Sequence, residues 1–70
     1  MNIESMPSAA MPERLLTQDE TASILSLANP RTLAAWRMRR QGPPYVKLGA
    51  SVRYSPEALR AWIASRTVAV

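Results

Sequence analysis

The chain contains no cysteine and no histidine. Without cysteine there is no disulfide framework and no thiolate zinc site. Without histidine, the commonest general base and metal ligand is missing too. There is no Gly-rich phosphate loop and no nucleophile elbow, and a lone Lys47 on a strand makes no active site. The expectation is therefore a protein that is not an enzyme and carries no cofactor and no metal. Long apolar runs are also absent. A transmembrane helix needs roughly 20 consecutive apolar residues, and no such run occurs. The start lacks a charged region followed by an apolar block, so no secretory signal and no membrane partner are expected. At 70 residues the chain is too short for two domains or for a large-ligand pocket; a chain of about 60 residues buries only about 60% of its unfolded surface. These limits describe a soluble, cytoplasmic, single-domain binding module.

What the sequence does have is charge, unevenly placed. Nine Lys and Arg stand against five Asp and Glu, a net +4. Residues 1–30 hold one base, Arg14, and four acids, a net −3; residues 31–70 hold eight bases and one acid, Glu57, a net +7. All the bases of that second part are arginines except Lys47. Arginine presents a planar fork of donors suited to phosphates and guanine edges, and a basic half on a small domain is the electrostatic footprint of a nucleic-acid binder.

Residues 1–14 read as a disordered arm, with Pro7 and Pro12 and no apolar period. Order is expected over 15–66, with residues 67–70 an apolar C-terminal tail. Thr17-Gln18-Asp19-Glu20 matches a capping box, which accounts for the adjacent carboxylates of Asp19 and Glu20 without any catalytic role. A first helix is predicted over about 18–26, with Ala22, Ile24 and Leu25 as its apolar stripe. Asn29-Pro30 opens a second helix, predicted from Pro30 to about Arg40 and stopped by Gly42-Pro43-Pro44. On a helical wheel Leu33, Trp36, Arg37 and Arg40 share the core side, the two arginines laying their stems along the core edge. Arg31, Thr32, Ala35, Met38 and Arg39 form the outer face, which carries no acid.

A hairpin follows. A three-residue loop Gly49-Ala50-Ser51 would set Leu48 opposite Val52, Lys47 opposite Arg53 and Val46 opposite Tyr54. Alternation would then send Val46, Leu48, Val52 and Tyr54 inward and Lys47 and Arg53 outward. Like charges facing each other destabilise a sheet, so that register would favour an anionic partner. Ser55-Pro56 caps a third helix, in which Leu59, Trp62 and Ile63 fall at core spacing.

Two short helices joined by a tight turn, a basic hairpin and a closing helix make a mainly α, winged helix-turn-helix of order α-α-β-β-α. Its second helix can enter a major groove about 12 Å wide. The segments Leu15-Leu16-Thr17, Glu20, Ala22 and Leu25, then Pro30-Arg31-Thr32-Leu33 with Trp36-Arg37, then Gly42 to Gly49, then Val52-Arg53-Tyr54 with Leu59 and Trp62, resemble the excisionase-like branch of the MerR-type winged helix-turn-helix proteins. The resemblance covers 15–66. It implies a double-stranded DNA-binding protein of a phage or integrated mobile element, acting as a recombination directionality factor beside a tyrosine integrase, or else a small transcription regulator. It places the outer face of the second helix in the major groove and Arg53 in the minor groove. The DNA-binding set is then Arg31, Thr32, Ala35, Met38, Arg39, Lys47, Ser51 and Arg53, in a bacterial, nucleoid-associated protein. The turn Ser26–Asn29 lacks the family's usual glycine, so a left-handed Ser26 carries mild strain. Ala34 and Ala35 thin direct base reading to Arg31, Thr32 and Arg39, and shift specificity towards DNA shape or self-association on DNA.

Trp36, Trp62 and Tyr54 read as core rather than as base-stacking platforms. Tyr45 is outward by alternation, either on a phosphate or merely exposed. A single-strand or RNA binder would want exposed aromatics on a sheet, and only Tyr45 qualifies. A protein-interaction module using the arm or the tail is the alternative outside DNA binding.

Overall fold

The computed structural model describes residues 14–69; the expected arm, apart from Arg14, and Val70 lie outside them. The order is α1 (Gln18–Ile24), α2 (Arg31–Met38), β1 (Val46–Leu48), β2 (Ser51–Arg53) and α3 (Pro56–Arg66). Three helices and an antiparallel two-stranded hairpin thus follow one another as α-α-β-β-α, the arrangement of a winged helix-turn-helix.

Each helix starts where its sequence provides an acceptor. At α1 the capping box is complete: Thr17 Oγ1 accepts the Glu20 amide at 3.1 Å, and Glu20 Oε1 accepts the Thr17 amide at 2.8 Å. Before α2, Asn29 Oδ1 accepts the Arg31 amide at 2.9 Å and Asn29 O accepts that of Thr32 at 3.0 Å. Pro30, at φ −59°, is therefore preceded by its capping residue, although the regular helix starts one residue later, at Arg31. Ser55 Oγ accepts the Ala58 amide at 3.3 Å, with Pro56 in the first turn of α3.

The first two helices end earlier than predicted, and both in the same way. Ser26 and Arg40 adopt left-handed conformations, each at φ +58°. Leu27 N donates to Ala22 O and Ser26 N to Ser23 O; Gln41 N donates to Trp36 O and Arg40 N to Arg37 O. These crossed bonds are Schellman motifs. The stop of α2 is thus the left-handed Arg40, ahead of Gly42 and the prolines. Gly42 has a separate duty. At φ +86°, a Cβ there would lie 2.8 Å from Trp36 Cε3.

The hairpin register differs from expectation by one residue. Val46 faces Arg53, Lys47 faces Val52 and Leu48 faces Ser51, around a two-residue loop Gly49-Ala50. Gly49 takes φ +61° while Ala50 stays out of the positive region, as a II′ turn requires. Glycine at the first loop position selects this turn and returns Ser51 to the strand. A one-residue slip moves side chains to the other face. Leu48 is accordingly 53% exposed rather than inward, and Lys47 does not oppose Arg53, which removes the like-charge pair as a reason for an anionic partner. The hairpin also gains a third edge. Tyr54 and Leu16 exchange both backbone hydrogen bonds at 2.8 Å, joining the segment before α1 to the end of β2.

The core is small. Ala22, Leu33 and Tyr54 are buried together, with Leu16, Leu25, Leu27, Trp36 and Val52 packed around them; Leu59 of α3 is buried as well. Ile24 and Ile63, both expected inward, are exposed. Thr21 takes the place expected of Ile24, fully buried with its hydroxyl donating to Thr17 O at 2.8 Å. Trp36 and Trp62 are half-buried against each other, ring centroids 5.9 Å apart, and so join α2 to α3. The Arg66 guanidinium lies 5.4 Å over Trp62.

Candidate nucleic-acid interface

The capped start of α2 and the burial of Leu33 decide which side of that helix faces solvent. Arg31, Ala35, Met38 and Arg39 are all exposed, Met38 at 87%, and Thr32 is half-buried. No acid lies in the helix. The described acids are Asp19, Glu20 and Glu57, none of them on α2 or the hairpin. The result is a cationic, sterically low face with alanine at its middle.

The wing residues divide. Lys47 and Ser51 are exposed, while Arg53 is half-buried and folds back so that its Nη1 donates to Val52 O at 2.8 Å. Ser51 and Arg53 line an open groove between the hairpin and the start of α1, shared with Thr17, Gln18, Asp19 and Arg37; Lys47 is not part of it. The eight residues singled out by sequence are therefore not all brought together: five lie on α2, Ser51 and Arg53 share one face of the hairpin, and Lys47, paired with Val52, lies on the other.

Arg37 is the residue that the sequence reading left without a role at the site. Its place on the Leu33 side of α2 was the available signal, because a guanidinium held at a core edge needs an acceptor. The acceptor is Tyr54 OH, 2.7 Å from Arg37 Nη1, and the same guanidinium lies 5.6 Å over the Tyr45 ring. Tyr45, 45% exposed, packs tilted on Tyr54 with centroids 6.3 Å apart.

At the groove's α1 edge, Arg14 and Glu20 form a two-pronged ion pair, with N–O distances of 3.3 and 2.9 Å. The hydrogen bond from Arg14, followed by that from the Thr17 amide, lowers the Glu20 carboxyl to about 2, and the Arg14 guanidinium is raised in turn. This acid stays ionised, its charge paired locally with Arg14. Among the described residues, no helix is long and apolar enough to cross a membrane.

Residues 15–67 match the family model described as a helix-turn-helix domain. No curated protein and no solved structure matches the chain.

Proposed function

The chain belongs to the helix-turn-helix domain family, and from that premise we propose that it is an excisionase-like recombination directionality factor of the MerR-type branch, from a phage or integrated element. Its helix-turn-helix domain supports binding to double-stranded DNA. In this reading Arg31, Thr32, Ala35, Met38 and Arg39 approach base edges in the major groove, and Lys47, Ser51 and Arg53 of the wing approach the adjacent backbone and minor groove. The observation that carries it is the exposed, acid-free face of α2, followed in the chain by a hairpin that carries Lys47 and Arg53 and no acid. Several copies side by side on DNA would remodel the complex of a tyrosine integrase.

Binding to a duplex, measured across a salt series, tests the first step. Neutralising about four to six phosphates gives a slope of log K against log salt of roughly −4 to −5, at about −0.9 per phosphate. A flat response, or equal affinity for single strands, removes the DNA-binding reading. Adding the protein to a tyrosine integrase encoded beside it tests the second step. The expected result is a shift from integrative to excisive recombination. Duplex binding without that shift leaves a transcription regulator.

A further inference from the structure

The face of α2 and the wing are separate surfaces, yet one side chain of α2 reaches the two residues that flank the wing. Arg37 stands on the inner side of α2, one residue from Met38 and two from Ala35 and Arg39 of the outer face. Its guanidinium donates to Tyr54 OH at 2.7 Å and lies over Tyr45 at 5.6 Å, and these two tyrosines flank the hairpin. Tyr54 is completely buried, so its hydroxyl cannot exchange this bond for one to water. The Tyr54 backbone is also fixed to Leu16 by two hydrogen bonds. Arg37 has no acidic partner among the described residues. Its placement is thus set by a phenol and an aromatic face on the wing. Both are directional contacts.

We infer that Arg37 is a positioning residue that sets the wing against the recognition helix, so that α2 and Arg53 engage adjacent parts of one duplex together. The inference rests on the DNA-binding reading of α2 and the wing. Arg37 acts through Tyr54 and Tyr45. The planar fork is what the geometry uses, so lysine cannot replace it despite keeping the charge.

The test uses Arg37→Met, which keeps the apolar stem, Arg37→Lys, which keeps the charge, Tyr54→Phe, which keeps the ring, and the double variant Arg37→Met/Tyr54→Phe. In the free protein, residual dipolar couplings report the orientation of α2 relative to the hairpin. All four variants should change or broaden it in the same way. On DNA, the preference for A·T-rich over G·C-rich flanks should fall about three- to tenfold in each single variant and no further in the double. Base preference at the α2 positions should stay as in the wild type. Unchanged couplings overturn the inference. So does a lowered melting temperature with flank preference intact, since that is a purely structural role. Loss of affinity on every sequence in Arg37→Met, with a salt slope smaller by about one and no effect of Tyr54→Phe, also overturns it and makes Arg37 a direct phosphate contact. If the wild type does not bind duplex DNA, the DNA-binding reading fails, and with it the stated purpose of the contact. The couplings then still decide whether Arg37 ties α2 to the wing.

Discussion

At the scale of single residues, Glu20 shows how one side chain serves several purposes. Its carboxylate closes the capping box on the Thr17 amide and holds Arg14 by two bonds. With its folded value lowered to about 2 against an ordinary carboxyl near 4.5, the ionised form is favoured by folding. The stability it contributes is complete above the unfolded value and is lost as pH falls through the folded one. The window is therefore about pH 5 to 2. Both groups are solvent-exposed, so salt weakens the Arg14 part and leaves the amide part largely in place. Glu20→Gln retains a capping acceptor and cannot titrate. Melting temperatures measured from pH 6 to pH 2 should show the wild type more stable than Glu20→Gln at the upper end, the difference closing towards pH 2. Parallel curves would remove Glu20 from the acid response. This capping role was legible in the sequence, because Thr17 and Glu20 lie close enough along the chain to be bonded by local geometry alone. The Arg37–Tyr54 bond was not, because its partners are brought together only when hairpin and helix pack.

At the scale of elements, starts were easier to read than ends and registers. Ser55-Pro56 and Asn29-Pro30 announce helices with residues that act within one turn. Helix ends depend on which residue accepts a left-handed conformation, and here Ser26 and Arg40 do so where glycine is usual. The strain anticipated at Ser26 is present, and it suggests a variant. A left-handed L-residue costs roughly 1–2 kcal/mol, partly offset in glycine by a more flexible unfolded chain. Ser26→Gly should raise unfolding stability by a few tenths to about 1 kcal/mol, seen as a higher denaturant midpoint with an unchanged slope. A lower midpoint would mean that Ser26 makes a stabilising contact. The hairpin register is not legible in the sequence, because it hinges on whether Ser51 belongs to the loop. Gly49 settles the turn, and Leu48 then points outward. The same register separates Lys47 from Ser51 and Arg53 on the hairpin and leaves the exposed face of α2 unaffected. The α2 face and the wing should therefore respond differently to truncation. Arg53→Ala should weaken binding on all sequences, most on A·T-rich flanks with a narrow minor groove. Arg31→Ala should relax preference at one or two base positions, costing about 1–3 kcal/mol if the contact is bidentate to guanine. A selection experiment in which both variants lose affinity with base preference unchanged would show that α2 does not read bases.

At the scale of the whole molecule, the proposed function asks how so small a domain would discriminate between DNA sequences. One copy offers an eight-residue α2 whose middle is alanine, and a hairpin of two three-residue strands. A module of this size buries about 600–1,000 Å² on DNA, which is little for strong discrimination. The longest helix among the described residues, α3, has eleven residues, far short of the several heptads that hold a coiled-coil dimer together. Apolar side chains are nevertheless left on the outside: Ile24 and Leu48 are each 53% exposed and Val68 is 80% exposed beyond the end of α3. Weak contacts between neighbours on tandem sites would cover such groups and add to each DNA contact, so occupancy should rise more steeply than for independent sites. Removing residues 68–70 tests this while keeping Thr67, whose hydroxyl and amide bond to Ile63 O and Ala64 O at the end of α3. In a gel-shift titration on a natural multi-site fragment, the full chain should fill the sites steeply from a free protein that sediments as a monomer. The shortened chain should keep first-site affinity within about twofold and lose most of the steepness. A loss of first-site affinity as large as the loss of steepness would place the tail on the DNA itself. A single shifted band on a palindrome, from a protein already dimeric in solution, would replace the array with an ordinary dimeric repressor.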